Sequence, residues 1–195
     1  MTTSVDELAW RAPDIYSAWA GIEAGEESSV RREVRRVAGR GSAEDVRVEL
    51  ASLTEELANV VRTLRDDAFA LPGGEADWNV AETLGHTVQT RVGLTLAASL
   101  AASGRWPADA PMVTPSVPGP ADATRAELLR KIAQSQRLID RAVRAIAGHE
   151  TAPCPLEHPL VGRLRCGEWL LFAGVHDLMH LEQLYRLARD VVPAG

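Results

Sequence analysis

Apolar residues recur at intervals of three and four along most of the chain, and this spacing predicts a succession of amphipathic helices. A first long helix is predicted from Ser42 to about Phe69, where Pro72-Gly73-Gly74 ends it. Its buried stripe consists of Val46, Leu50, Leu53, Leu57, Val60, Val61 and Leu64. No stretch of useful length alternates apolar and polar residues, so the sequence predicts an all-α fold.

Three further helices are predicted over about residues 79–103, 124–147 and 167–190. Two of them begin with the capping-box pairs Asn79/Glu82 and Thr124/Glu127. Together with the first helix they predict a four-helix bundle.

Two long connections join these helices. Residues 104–120 hold five of the eleven prolines, and a loop of this length, when extended, reaches about 55 Å. A helix of 24 residues is only about 36 Å long, so the loop can cross the whole bundle and its flanking helices need not be antiparallel neighbours. Residues 149–166 form the second long connection, and long loops in compact domains are often functional.

The first forty residues differ from the rest. They begin with an acidic part that contains Trp10 and Trp19, followed by a helical pattern over residues 30–37. We predict an N-terminal helical extension over residues 1–40, packed on a bundle formed by residues 41–195. The extension carries a cluster of arginines, interpreted as a solvated helix face rather than an anion-binding surface: Arg31, Arg32, Arg35 and Arg36.

Composition narrows the classes of function. The chain has 195 residues, of which 46% are hydrophobic and 25% charged, as in a single globular domain. Its net charge of −6 argues against nucleic-acid binding. No apolar run approaches the roughly 18 residues of a membrane span, the first residues do not resemble a signal peptide, and two cysteines do not indicate an oxidising compartment. We therefore expect a cytoplasmic protein that binds neither nucleic acid nor membranes.

Two histidines four residues apart, His176 and His180, stand in the last predicted helix. Such positions lie about 40° apart on neighbouring turns, so both imidazoles can bind one metal ion from the same side. They share their helix face with the apolar residues Trp169, Phe172, Leu184 and Leu187. That face is expected to point into the bundle, where an imidazole needs a hydrogen bond or a metal. Asp177 and Glu182 point elsewhere and are not expected to join the metal.

A third ligand is expected from another helix, and His86 lies inside the second core helix. We place it at the edge of an apolar side that follows Gly85, Gln89, Gly93 and Leu96. The solvent side is assigned to Thr83, Thr87, Thr90 and Arg91. Three histidines with an open coordination position describe a catalytic rather than a closed structural metal site. The spacing alone leaves open a hydrogen-bonded histidine pair in the core, or a surface coincidence.

Residues near these histidines have two interpretations each. Glu82 is either a helix cap or an acceptor that orients an imidazole. Gln183, one turn beyond His180, is a candidate substrate-binding residue or a polar residue at the bundle mouth. Trp78 is interpreted as packing on the core rather than as a substrate platform. Cys166 stands at a helix start, which lowers the pKa of a thiol, but we interpret it as inert.

Three motifs follow one another along the chain: Trp78-Asn-Val-Ala-Glu-Thr-Leu-Gly-His86, His158-Pro-Leu-Val-Gly162 and His176-Asp-Leu-Met-His180-Leu-Glu-Gln183. Together they resemble the DinB/YfiT-like four-helix metalloproteins, and the resemblance covers about residues 43–190. The family pattern of one histidine in the second core helix and an HxxxH in the fourth falls on His86, His176 and His180. The resemblance implies a divalent metal ion, variously zinc, nickel or iron, in a pocket at one end of the bundle.

The same resemblance implies an activity. Characterised relatives transfer or isomerise with low-molecular-weight thiols such as mycothiol or bacillithiol, and a metal-bound thiol is held as the nucleophilic thiolate. We therefore expect a metal-dependent thiol S-transferase, isomerase or hydrolase, whose small electrophilic substrate approaches from the two long loops. The last motif is also similar to the metal-binding domain of ergothioneine-pathway sulfoxide synthases, but their second domain has no counterpart here, and we do not expect that activity. The alternatives are a non-catalytic metal-binding or stress-response module, and a purely structural histidine cluster.

The last helix has a second apolar strip, on the side away from the histidines: Leu170, Gly174, Leu178, Leu181 and Tyr185. One helix cannot bury both sides inside a single four-helix core. Either the N-terminal extension or a second subunit must cover the strip, and we expect a homodimer.

Overall fold

The computed structural model describes residues 5–74 and 77–191, with side chains up to residue 187. Residues 1–4, 75–76 and 192–195 lie outside the described part, and they include the start of the predicted extension and the end of the predicted bundle. The helices are α1 (Leu8–Arg11), α2 (Pro13–Ala20), α3 (Glu27–Val37), α4 (Ala43–Thr63), α5 (Val80–Ala102), α6 (Arg125–Ile146) and α7 (Cys166–Val191), with 3-10 turns at Val5–Glu7 and Asp66–Ala70. The prediction of a mostly helical fold is confirmed. None of these helices combines the length and the apolar character needed to cross a membrane.

Three of the long helices begin at capping boxes, formed by the pairs Ser42/Asp45, Asn79/Glu82 and Thr124/Glu127. In each box the first side chain accepts a hydrogen bond from the backbone N–H of the acidic residue. The carboxylate in turn accepts one from the backbone N–H of the first residue. Each box thus satisfies N–H groups that a helix start leaves without a partner, and the predicted starts at residues 79 and 124 are correct.

Helix α4 ends at Thr63, earlier than the predicted end at Phe69. Leu64 has an extended backbone with a ψ of 143°. The guanidinium of Arg125, at the start of α6, donates to the carbonyl oxygens of Val61, Arg62 and Leu64. Carbonyls at a helix end have no partner within the helix, so a tertiary contact stabilises this end, and the local hydrophobic pattern does not show it.

The proline-rich connection runs back along α5, as its reach predicts. At the start of α5, Asn79 Nδ2 donates to the carbonyl oxygen of Ala121 (3.0 Å), shortly before α6 begins. Helices α5 and α6 therefore start at the same end and are parallel neighbours. Helix α4 is antiparallel to α6, because the end of α4 meets Arg125 while Arg47 near its start pairs with Asp140 (3.1 Å). Helix α7 packs against both α4 and α5.

The connection between α6 and α7 contains an antiparallel pair of strands, β1 (Pro153–His158) and β2 (Gly162–Arg165), which the all-α prediction did not include. The register pairs Glu157 with Arg163 and His158 with Gly162. Buried side chains do occur on the two strands, at Cys154, Leu156 and Leu164. Strands this short do not give an alternation long enough to be distinguished from loop sequence.

The N-terminal helices cover the second apolar strip of α7. Leu170, Leu178 and Leu181 are fully buried within the single chain. A Cβ added at Gly174 would collide with the side chain of Ile15 on α2, and both α2 and α3 pack against α7. Of the two covers left open by the sequence, the N-terminal extension is the one observed. The strip therefore lends no support to the homodimer, which stays a prediction.

The arginines of α3 agree with the interpretation as a solvated face. All four side chains are exposed. Arg32 pairs with Glu23 (2.6 Å) and Arg36 with Glu33 (2.6 Å), so neighbouring carboxylates neutralise part of the cluster.

Helix α5 is buried on the side that the sequence analysis assigned to solvent. Thr83, Thr87 and Arg91 have no exposed surface, whereas Leu96, assigned to the apolar side, is 51% exposed. The assignment was wrong because a threonine can be buried when its hydroxyl bonds within its own helix. The hydroxyl of Thr87, for example, donates to the carbonyl oxygen of Thr83 (2.8 Å).

Candidate metal centre

His86 on α5 and His176 and His180 on α7 converge inside the protein. One ring nitrogen from each histidine lies within 4.8 Å of the other two, and the Nε2 atoms of His176 and His180 are 3.2 Å apart. All three residues are buried, with at most 7% of their surface exposed. The structure thus brings together the three histidines that the sequence singled out.

The secondary structure explains this convergence. His176 and His180 stand one turn apart on α7, on the same face as the fully buried Trp169 and Phe172. His86 lies in the first half of α5, which packs against α7. The predicted inward face of α7 is therefore correct, and the contact between α5 and α7 supplies the third ring.

Hydrogen bonds determine the tautomers of two of the rings. His86 Nδ1 donates to the carbonyl oxygen of Val117 (2.9 Å), and His180 Nδ1 donates to Gln183 Oε1 (2.7 Å). Both partners are acceptors, so Nδ1 carries the proton in each ring and Nε2 keeps its lone pair. Gln183 is held in turn, because its Nε2 donates to the carbonyl oxygen of Gly74 (3.3 Å). Metal-binding histidines in proteins are typically oriented by such a partner on the second ring nitrogen.

The environment of His176 favours the neutral form of its ring. Burial, followed by the neighbouring rings of His180 and His86, holds the pKa of His176 well below its ordinary value. Its ring is therefore neutral at pH 7, which is the state that metal binding requires. Its Nδ1 is buried without a hydrogen-bond partner among the described residues.

The donor set fits a divalent metal ion. Three neutral imidazoles form a known ligand set for zinc and also suit nickel and iron. A tetrahedral zinc ion with Zn–N bonds of about 2.0–2.1 Å separates its ligand nitrogens by about 3.3 Å, close to the 3.2 Å between His176 and His180. No carboxylate or thiol of the described residues belongs to the cluster, so a bound ion would keep open coordination positions.

The proline-rich connection over residues 104–120, called the crossover loop below, reaches His86 through a contact between two glycines. A Cβ added at Gly85 would lie 2.7 Å from the Cα of Gly119, and the N–H of Gly119 donates to the carbonyl oxygen of Glu82 (2.9 Å). Glycine at both positions permits this close approach. The approach brings the carbonyl of Val117 onto the ring of His86.

Hydrogen bonding decides between the two interpretations of Glu82. The carboxylate of Glu82 accepts the backbone N–H of Asn79 (2.8 Å), so Glu82 caps α5 rather than orienting a histidine. Trp78 packs on the ring of His86, with 4.8 Å between ring centroids, so it contacts the cluster. Gln183 orients His180, and its role in substrate binding stays a prediction.

The two cysteines agree with the inert interpretation. Both are buried and unpaired by any disulfide. Burial raises the pKa of the Cys166 thiol to about 12 and also raises that of Cys154. Desolvation therefore outweighs any effect of the helix start on Cys166.

Sequence reasoning assigned no role to His158, which the hairpin brings beside the cluster. Its ring centroid is 5.2 Å from that of Phe172, which lies 6.3 Å from the ring of His176. Its Nδ1 accepts the backbone N–H of Leu160 (3.1 Å), so its proton is on Nε2. Burial, helped by the nearby ring of His86, lowers the pKa of His158 to about 4. Its place in the second of the three motifs was the available signal.

A buried ion pair links the two helices that carry the histidines. Arg91 on α5 and Asp177 on α7 have fully buried side chains, and Arg91 Nε lies 3.1 Å from Asp177 Oδ2. Arg91 also donates to the carbonyl oxygen of Leu50 on α4 (3.1 Å). Burial raises the pKa of Asp177 to about 7, although the attraction of Arg91 opposes the shift. Asp177 follows His176 directly, so this pair contributes to the placement of the cluster.

Comparison with known proteins adds one relationship. The family model of the DinB superfamily matches residues 72–184, which is more than half of the chain and includes all three clustered histidines. Searches of the curated proteins and of the solved structures found no match. With its three-histidine cluster and the match to this family, the chain belongs to the DinB superfamily.

Proposed function

We propose that this protein is a DinB-type enzyme that uses a divalent metal ion, bound by His86, His176 and His180, to activate a low-molecular-weight thiol. The reaction is the transfer of the thiol sulfur to a small electrophile, or an isomerisation or hydrolysis that depends on the thiol. We further propose that residues 41–195 form the four-helix bundle of this family and that residues 1–40 form its helical extension. The convergence of three buried imidazoles within 4.8 Å carries the proposal.

The chain's own residues prepare the site before any ligand arrives. Val117 and Gln183 hold the protons of His86 and His180 on Nδ1, so both Nε2 lone pairs are available. Burial keeps His176 neutral. A divalent ion held there stabilises the deprotonated form of a thiol at neutral pH.

The cysteines support an external thiol. Cys154 and Cys166 are buried, and burial raises the pKa of both. Neither offers a thiolate at pH 7, and a thiolate is the reactive form of a thiol. The nucleophilic sulfur in this proposal therefore comes from a small molecule.

The first test is elemental analysis of protein purified without a histidine tag. We expect about one equivalent of a divalent metal in the wild type and none after His→Ala substitution of all three clustered histidines. His149→Ala is the matched control, because His149 is exposed and outside the cluster. A ligand at 100 times its Kd stabilises the native state by about 2.7 kcal/mol, so a chelator is expected to lower the wild-type Tm by about 5–10 °C. Unchanged metal content in the triple variant would refute the ligand assignment.

The second test separates an enzyme from a binding module. Metal-loaded protein is assayed with mycothiol, bacillithiol and glutathione, each combined with a reactive electrophile such as monobromobimane. We expect turnover with at least one thiol, and its loss in chelator-treated protein. Metal binding without thiol binding or turnover would favour the non-catalytic module.

A further inference from the structure

An apolar groove of about 380 Å³ lies between α5 and the crossover loop. Its walls consist largely of aliphatic, proline and tryptophan side chains, among them Leu94, Ala97, Leu100, Trp106, Pro111 and Leu156. The polar lining residues are His86, Gln89, Thr90 and Thr114, and no Asp, Glu, Lys or Arg of the described chain lines the groove. A charged ligand would therefore lose hydration here without gaining a counter-ion.

The rim of the groove is unusually apolar for a protein surface. Leu96 is 51% exposed, Val113 54% and Val117 49%, and Met112, beside Val113, is 46% exposed. These residues make up half of the large exposed hydrophobic side chains of the described chain. A contiguous apolar patch that surrounds a concave site is typical of a ligand-binding surface.

The groove shares a residue with the metal centre. His86 belongs to both the histidine cluster and the lining of the groove. Its Nδ1 donates to the carbonyl of Val117, another lining residue. A molecule that fills the groove therefore contacts a ring that faces the cluster.

The size of the groove indicates a small molecule as its occupant. An α-helix about 10–12 Å across would fill 380 Å³ with less than one turn of its length. Neither a helix of a partner nor a second copy of this chain fits inside. The volume falls within the range of about 300–1,000 Å³ that small-molecule sites occupy.

We propose that the groove binds an uncharged, apolar tail, aliphatic or aromatic, of the electrophilic substrate and thereby directs the reactive group to the metal centre at His86. This inference rests on the proposed function for the identity of the reaction. The binding of an apolar tail can be measured without any turnover.

Gly93 provides a way to fill the groove without damaging the fold. It lines the groove on α5, and a Cβ added there meets no atom within 4 Å. Replacing a glycine inside a helix also improves helix propensity. Gly93→Phe is therefore expected to occupy the groove, and Gly93→Ala is the matched control that leaves it open. A second variant, Val113→Asp, introduces a charge at the exposed rim.

The probe is the uncharged dye N-phenyl-1-naphthylamine, titrated by fluorescence into metal-free and metal-loaded protein, with 1-alkanols from hexanol to decanol as competitors. We expect saturable binding to wild type and Gly93→Ala, with alkanol affinity rising about three- to fourfold per methylene group. Gly93→Phe and Val113→Asp are expected to lower dye affinity at least tenfold while metal content and far-UV circular dichroism stay unchanged. Equal dye affinity in all four proteins would overturn the proposal. A change of oligomeric mass in Gly93→Phe in place of an affinity change would overturn it too, because the groove would then be a contact between copies.

Turnover distinguishes this inference from the proposed function. With electrophiles of increasing alkyl chain length, the wild-type KM is expected to fall as the chain lengthens, and Gly93→Phe is expected to remove that dependence. Turnover with a wild-type KM that does not depend on chain length would refute the groove as a substrate site and would leave the proposed function unaffected. Absence of all turnover together with normal dye binding would refute the proposed function while the groove remains an apolar binding site.

Discussion

Removing Asp177 alone is expected to destabilise the protein more than removing it together with Arg91, the buried residue with which it pairs. The two side chains are fully buried and 3.1 Å apart, so their attraction is about 5 kcal/mol at an effective dielectric constant of about 20. Burying each ion costs several kcal/mol, so the pair as a whole is close to neutral for stability. A variant that keeps only one of the two ions keeps the cost of burying that ion and loses the attraction of its partner.

The two single variants differ because of the chemistry of the group left behind. At pH 8, above the pKa of about 7 that Asp177 has in the folded protein, Asp177→Asn leaves a guanidinium that cannot lose its proton, and we expect the free energy of unfolding to fall by about 3–5 kcal/mol. Arg91→Met leaves a carboxyl group that can bind a proton, and we expect a smaller loss at the same pH. In the double variant a neutral amide remains, at a cost of about 1–3 kcal/mol. Adding Arg91→Met to Asp177→Asn is thus expected to restore stability.

The assay is urea unfolding followed by far-UV circular dichroism, with chelator present so that metal binding does not contribute. The pH dependence is an internal control. The folded-state pKa of Asp177 is about 7, above its unfolded value, so its contribution to stability is lost as pH rises towards 7. Without Arg91 the pKa of Asp177 rises further. In Arg91→Met the decline of the free energy of unfolding with rising pH is therefore expected to extend above pH 7. A double variant less stable than Asp177→Asn would refute the account of a desolvated, mutually compensating pair.

Three further predictions concern the loop, the hairpin and the extension. Gly85→Ala presses a Cβ against Gly119, and we expect the free energy of unfolding to fall by about 1–3 kcal/mol. We also expect weaker zinc binding in equilibrium dialysis, because the loop carries the carbonyl that holds His86. His158 has its pKa lowered to about 4, so the metal-free wild type should lose stability as pH falls from about 6.5 to 4. Urea titrations at each pH are expected to show a smaller loss of stability over this range in His158→Asn. Ile15→Ala, at the buried contact of α2 with α7, should cost about 2–5 kcal/mol in urea unfolding.

Each of these expectations has an outcome that contradicts it. Unchanged zinc affinity in Gly85→Ala would show that the glycine contact does not position His86. Identical pH slopes for wild type and His158→Asn would place the titrating groups elsewhere. A loss below about 1 kcal/mol from Ile15→Ala, no larger than that of the half-exposed control Val48→Ala, would mean that the extension does not cover α7, and a homodimer would again be the expected cover.

Local signals predicted the long helices and the inward direction of the two histidines on α7. Apolar spacing and capping pairs predicted the starts of α5 and α6 correctly, because a helix start depends on hydrogen bonds among residues three apart. The inward direction of His176 and His180 followed from the period of one helix. The end of α4 was misplaced, because Arg125 from another helix binds its last carbonyls.

The sequence by itself determined a mostly helical chain, three histidines of ligand type and a loop long enough to cross the molecule, because these depend on composition and on periods within one element. Only the tertiary structure decided that Thr83, Thr87 and Arg91 are buried, that the N-terminal helices cover α7, and that His158 stands beside the cluster. Burial of a charged side chain depends on a nearby opposite charge. For Arg91 that charge is on Asp177, 86 positions further along the chain and 3.1 Å away in space.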